Sequence, residues 1–249
     1  WEQYCCVEHL PEGLKSIGKE AFYGCNAITE VNIPSTVTYI INYAFYNCKK
    51  LEAVVIPDGV EVINTYSFYN CIALDSLVIG EGVRQINSSA FKSCEALPSV
   101  TIPKSVATIA NDAFGSCTSL AEFAVDAENE TYCAIDKILY SKDKSTLIMC
   151  PTALAGSVTV ATGATTIGNG AFSGCKQITS VTVPSTVTTI GEDAFDGCEA
   201  LTTVNLSEGL LSIGEHAFDN AGITAITVPN SVTSIGDNAF YYCLSLETV

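Results

Sequence analysis

A phenylalanine returns every 23 residues along this chain, and that spacing decides most of what the chain can fold into. Phe22, Phe45, Phe68, Phe91 and Phe114 form one run; Phe172, Phe195, Phe218 and Phe240 form a second, whose last step is 22. The same string surrounds each one. Its first copy is Ile17-Gly-Lys-Glu-Ala-Phe-Tyr-Gly-Cys25, followed by Ile28, Val31, Ile33 and Pro34. Self-similarity at this period signals a solenoid, in which each repeat completes its core only by stacking on its neighbours. One repeat offers about six large apolar side chains, worth roughly 1.5–3 kcal/mol each when buried. Ordering its backbone costs roughly 1–2 kcal/mol per residue. Stacking has to close that gap, so residues 1–249 are expected to form one elongated domain.

With the phenylalanine as position zero, Ile occupies −5 in all nine repeats, from Ile17 to Ile235. Ala precedes the ring everywhere except at Ser67. Leu or Ile follows at +6, usually Val at +9 and Ile or Val at +11, and Pro often at +12. The segment L-x-x-V-x-I-P reads as a short β-branched strand closed by proline. One such strand per repeat, always in the same direction, makes a parallel sheet. The Ile-Gly-x-x-Ala-Phe-x-x-Cys segment is too short for an ordinary helix and reads as a turn plus one helical turn, α or 3₁₀. Gly at −4 (Gly18, Gly168, Gly191, Gly214, Gly236) suggests a special backbone angle, which Asn64 and Asn87 also tolerate and Ile41 and Ala110 do not.

The pattern breaks between Phe114 and Phe172, 58 residues apart. Within that interval Ile138–Met149 reads as a hairpin, two apolar runs around Lys142–Lys144. The expectation is an enlarged coil at about 124–162 and no domain boundary, because no Gly/Ser- or Pro-rich linker is present. Both ends look unfinished. Residues 4–16 carry the tail of an earlier coil, and the last repeat stops in mid-strand at Val249. Open edges invite pairing, so either more coils follow in a longer protein or another molecule covers the end, end-to-end self-association included. With no signal peptide and no initiating Met, the chain reads as a processed product or a fragment.

Eight of the twelve cysteines hold +3: Cys25, Cys48, Cys71, Cys94, Cys117, Cys175, Cys198 and Cys243, with Ala221 in the remaining repeat. In-register residues of stacked coils sit about 4.8 Å apart, whereas a disulfide needs Cβ atoms nearer ~3.8 Å. The column is therefore expected to be buried free thiols, small hydrophobes in effect. Any disulfide should come from Cys5, Cys6, Cys133 and Cys150. No C-x-x-C occurs, so zinc and redox readings are weak.

A formal charge of −16 repels phosphates and argues against a nucleic-acid partner. No apolar run has the length of a membrane span. Catalysis has little support. His9 and His216 would lie roughly 40 Å apart at one strand spacing per coil, and neither stands beside an activated cysteine. Asp126, Glu128, Glu130 and Asp136 could collect calcium but lack the glycine and spacing of a calcium loop; a polar turn is the plainer reading. No metal and no cofactor are expected.

Binding is better supported. If +6, +9 and +11 point inward, then +7, +8 and +10 face solvent. In the first half this face includes Glu30, Asn32, Glu52, Val55, Asp75 and Val78, acids beside exposed valines. In the second half it is almost all Ser and Thr, as strand propensity alone would give. A second candidate is a tyrosine group: Tyr23, Tyr46 and Tyr69 at +1, with Tyr43 and Tyr66 at −2. Stacked coils should gather these rings into an interface-like patch or a self-packing ladder over the outer turn.

The string I-G-x-x-A-F-x-x-C-x-x-L-x-x-V-x-I-P over residues 10–249 resembles the BspA-like, or Treponema-type, leucine-rich repeats. The insert from Tyr132 to Pro151 also resembles a variation within that family. The resemblance implies a right-handed curved solenoid with a concave parallel β-sheet and short helical or 3₁₀ turns on the convex side. It further implies a secreted or cell-surface protein of bacteria or some protozoa, adhering to host matrix proteins or other cells. Together with the uniform repeat and the lack of a catalytic constellation, it makes a non-enzymatic scaffold that binds a protein or glycan ligand the leading expectation. The alternative is a passive spacer in a longer surface protein, with no ligand of its own.

Overall fold

The structure, a computed structural model, describes residues 10–248. Two compact units make it up, Trp1–Thr131 and Tyr132–Val249.

The first unit is a stack of coils, each giving two short strands. They are β1 (Ser16–Ile17), β2 (Glu30–Val31), β3 (Tyr39–Ile40), β4 (Ala53–Val55) and β5 (Val62–Ile63). β6 (Ser76–Val78), β7 (Gln85–Ile86), β8 (Ser99–Ile102), β9 (Thr108–Ile109) and β10 (Glu122–Val125) follow. The expected parallel sheet through +9 is present as β2-β4-β6, with β8-β10 as a separate pair. Pro98 lies where the two parts separate. In the intact part, the Asp75 N–H donates to the Glu52 carbonyl at 2.9 Å; Pro98, one coil further on, has no N–H to continue the line.

A second parallel sheet, β1-β3-β5-β7-β9, runs through the −5 isoleucines, with Ile17, Ile40, Ile63, Ile86 and Ile109 in register. Between the sheets lies the core. Phe45, Phe68, Phe91 and Phe114 are fully buried, their rings stacked at 5.1–5.3 Å.

The segment around each phenylalanine is not helical, which corrects the expectation of a helical or 3₁₀ turn. Alternate N–H groups leave the coil. Tyr23 donates to Glu20 within its own turn at 3.1 Å, whereas Phe22 donates to Ala44 at 2.8 Å and Gly24 to Tyr46 at 2.7 Å in the next coil. A helix keeps its interior donors to itself; here half of them hold neighbouring coils together. Left-handed residues at −2 and +2 turn those groups outward, as at Tyr43 and Asn47 (φ 62° each) and Tyr66 and Asn70 (φ 59° and 58°).

The second unit opens with β11 (Tyr132–Ile135), β12 (Ile138–Ser141), β13 (Thr146–Met149), β14 (Gly156–Thr159) and β15 (Thr166–Ile167). β16 (Ile178–Thr182), β17 (Thr189–Ile190), β18 (Thr203–Asn205), β19 (Ser212–Ile213) and β20 (Ser234–Ile235) complete it. β12 and β13 form the expected antiparallel hairpin. β11, not foreseen, adds a further antiparallel strand through a tight turn at Asp136 and Lys137, both left-handed (φ 49° and 73°). β13 then pairs in parallel with β15 and carries the sheet on through β17, β19 and β20, while β14-β16-β18 forms the companion sheet. Phe172, Phe195 and Phe218 fill the core between them.

The −4 glycines do not have the special angle expected of them, since none has a positive φ. In this unit they are required by closeness. A Cβ on Gly191, Gly214 or Gly236 would come within 2.4–2.6 Å of atoms in the preceding coil. At Gly18, in the first described coil, the same position is open, and elsewhere in the first unit it is held by Ile41, Asn64, Asn87 and Ala110. Among the described residues no helix is long and apolar enough to cross a membrane.

Candidate functional site

On the first unit, strand alternation sets the sheet face. Val31, Val54, Leu51, Leu74, Ile33 and Ile56 are buried, while Glu30, Asn32, Glu52, Val55, Asp75 and Val78 are exposed. Val55 and Val78 are directly paired across β4 and β6 and remain 55% and 52% exposed. Glu52 and Asp75 stand on consecutive coils, joined by the backbone bond described above. The sheet thus sets a two-coil column of carboxylates beside a two-coil apolar strip. That pairing suits a partner offering donors or cations next to an apolar contact. On the second unit the equivalent face satisfies itself: the Ser180 hydroxyl donates to Ser157 at 2.8 Å, and the Thr202 hydroxyl to the Thr179 carbonyl at 3.2 Å.

The turn ladder of the first unit brings all five expected tyrosines together. Tyr23, Tyr46 and Tyr69 stack at 4.8 and 4.9 Å with planes 11° and 9° apart. Tyr43 and Tyr66 stack beside them at 5.0 Å. Edge contacts of 5.4–6.3 Å join the columns, so Tyr46 touches all four of the others. Lys19 places its ammonium 5.9 Å from the centre of the Tyr43 ring. Burial and the four neighbouring phenols push the Tyr46 hydroxyl above its ordinary pKa, so it stays a neutral donor. Tyr43 and Tyr66 hold left-handed backbones that bulky residues rarely adopt.

In the second unit the same two repeat positions carry acids and a histidine, a grouping sequence reading did not single out. Asp193 and Asp196, then His216 and Asp219, occupy −2 and +1. His216 Nδ1 lies 2.9 Å from Asp219, and Nε2 lies 3.7 Å from Glu215. The Asp219 hydrogen bond, with the charges of Asp219, Glu215 and Asp193, raises the His216 pKa. Burial raises that of Asp193, helped by Asp196 and Glu192. Comparing one repeat position across both units would have exposed the contrast. His9 lies outside the described residues.

The cysteine column is buried as expected except at half-buried Cys243, with one correction: Cys25, a member of the column and not one of the four cysteines outside it, is disulfide-bonded rather than a free thiol. Cys48, Cys71, Cys94, Cys117, Cys175, Cys198 and Cys243 are free, and so are Cys133 and Cys150. Cys5 and Cys6 lie outside the described residues. The thiols do more than fill space. Cys48, Cys71, Cys94, Cys117, Cys198 and Cys243 each donate to the phenylalanine carbonyl of the preceding coil, at 2.9–3.3 Å. Burial pushes the Cys48 and Cys117 thiols up to about 12, which keeps them protonated and unreactive. Around Asp126 the polar groups are engaged in structure. Asp126 accepts from the Glu128 N–H at 2.8 Å, and buried Asn129 donates to the Pro103 and Val106 carbonyls at 2.7 and 3.0 Å. Among the described residues no group of three or more His, Cys, Asp or Glu is placed to hold a metal ion.

Comparison with known proteins agrees with this architecture. Six copies of the BspA type leucine rich repeat region match residues 4–128 and 154–249. A leucine rich cell surface protein from Faecalibacterium prausnitzii is 29% identical, superposes with a TM-score of 0.78, and is covered over 71% of its chain by 96% of this one. The pneumococcal vaccine antigen PcpA superposes at 0.84 with 22% identity, across 96% of this chain and 70% of its own. A leucine-rich repeat protein from Eubacterium ventriosum gives 0.71 and 22%, across 97% of this chain and 77% of its own. No curated protein sequence matches.

Proposed function

This chain belongs to the BspA-type leucine-rich-repeat family, and on that premise we propose that it is a non-enzymatic extracellular scaffold that binds a protein or glycan ligand. The observation that carries this reading is the first unit's sheet face, where Glu52 and Asp75 lie beside the exposed pair Val55 and Val78. Held in register beside the carboxylates, the two valines offer a partner an apolar contact next to charge. The tyrosine columns supply a second surface, with large contact area and polar tips. A cell-surface setting is supported by the bacterial cell-surface protein among its structural neighbours and by the Cys25 disulfide, which an oxidising compartment preserves.

Two variants test the reading: one combining E52Q, D75N, V55T and V78T, the other combining Y23S, Y46S and Y69S. Surface plasmon resonance against a panel of matrix proteins and glycans should show saturable binding to at least one, weakened at least tenfold by one variant with the circular dichroism spectrum retained. Binding equal to wild type in both variants would reject these faces. Absence of saturable binding across the panel would favour the spacer alternative.

A further inference from the structure

The tyrosine double row has a chemical property that ligand binding does not use. We propose that it is a site of oxidative cross-linking, in which hydrogen peroxide and a haem peroxidase couple tyrosines of successive coils into dityrosine.

The geometry meets what this coupling needs. Tyr23, Tyr46 and Tyr69 repeat at 4.8 and 4.9 Å with nearly parallel planes, and Tyr43 and Tyr66 at 5.0 Å. Parallel rings bring like atoms opposite one another, so the carbons ortho to the hydroxyls face each other along each column. The backbones beneath are tied coil to coil, by Gly24 N–H to the Tyr46 carbonyl at 2.7 Å and Asn47 N–H to the Tyr69 carbonyl at 2.8 Å. The side chains need only turn about two torsions to close. Tyr23 is 51% exposed and gives an oxidant its entry. From there Tyr46, in contact with all four other rings, passes a radical to either column.

Competing groups are few. The chain holds one Met and one Trp against eleven Tyr. Met149 is buried, and among the described free thiols only Cys133 and Cys243 are not. The left-handed Tyr43 and Tyr66 add to the case. Other repeats place Glu, Ser, Asp, His or Asn at this angle, residues that bear it as well or better, so the backbone does not ask for tyrosine there.

The chemistry balances without further reagents. Each of two phenols loses one electron and its hydroxyl proton. The two phenoxyl radicals form one carbon–carbon bond between ortho positions. The hydrogen on each of those carbons moves through solvent to the ring's own oxygen and restores two phenols. Peroxide accepts the two electrons and two protons, its O–O bond breaks, and two waters leave. The product joins residues 23 apart in sequence and staples neighbouring coils.

The test treats the whole protein at low concentration with horseradish peroxidase and limiting hydrogen peroxide. Dityrosine fluorescence is recorded, and cross-linked peptides are mapped by mass spectrometry. The expected result is a monomer on denaturing gels that carries Tyr23–Tyr46, Tyr46–Tyr69 or Tyr43–Tyr66 links and unfolds at higher denaturant concentration than the untreated protein. Y46F, which keeps the stack but cannot form the phenoxyl, should abolish the Tyr23–Tyr46 and Tyr46–Tyr69 links and, by cutting the route from Tyr23, weaken the Tyr43–Tyr66 link. Absence of dityrosine, or links confined to exposed Tyr39, Tyr241 and Tyr242 between copies, would overturn the proposal. So would an unchanged link pattern in Y46F. Each of these failures leaves the ligand-binding reading untouched, since that reading is tested by binding.

Discussion

At the scale of single residues, the column of thiols shows how a side chain can be chosen for two reasons. Cysteine at +3 is small and apolar enough for the core, and its S–H meets a phenylalanine carbonyl of the preceding coil. The burial was legible in the sequence, because Ala221 substitutes for cysteine; the hydrogen bond was not, because spacing says nothing of carbonyl direction. Cys71→Ala should therefore lower stability by about 1–2 kcal/mol, a lost weak hydrogen bond plus a small cavity, measured by urea unfolding. The histidine makes a separate prediction. Its pKa is raised above the ordinary value near 6.5 by Asp219 and nearby acids. A group with a higher pKa folded than unfolded stabilises fully below the unfolded value and loses that contribution as pH rises through the folded one. The second unit should thus lose stability from about pH 6.5 upward, and H216Q should flatten the profile. NMR titration of His216 should place its midpoint above the ordinary value; a midpoint below it would contradict the arrangement with Asp219.

At the scale of elements, the strands through +9 were legible because Val, Ile and Pro mark them. The second sheet was not, since strands of two residues such as β1 and β3 leave no alternation to read. The turn ladder was misread as helical for a related reason. The left-handed residues at −2 include Glu20, Tyr43, Ser89 and His216, which share no side-chain signature. The −4 glycines pointed to a real constraint with a different cause. A Cβ on Gly214 would meet Glu192 N at 2.6 Å, whereas one on Gly18 meets nothing within 4 Å. Gly214→Ala should cost about 1–3 kcal/mol, in the range of overpacked sites, and Gly18→Ala close to nothing. Thermal unfolding of the two variants separates closeness from backbone angle: similar losses in both would contradict the packing account.

For the whole molecule, the repeat decides which residues reach solvent, and it does so without regard to what they bind. That is why the positions of Glu52, Asp75 and the tyrosines could be assigned before any coordinates, while the partner could not. A ligand is chosen by the chemistry of exposed columns, and those columns differ between units: at −2 and +1 the first gathers Tyr23, Tyr43, Tyr46, Tyr66 and Tyr69, the second Asp193, Asp196, His216 and Asp219. All of this rests on each repeat being one coil whose turn is bonded to the next. Amide hydrogen exchange followed by mass spectrometry reads that directly. The account predicts slow exchange recurring at the phenylalanine N–H and two residues beyond it, at Phe45 and Asn47, Phe68 and Asn70, Phe91 and Ser93, because these donate across coils. Fast exchange at those amides, or protection with no 23-residue period, would contradict it.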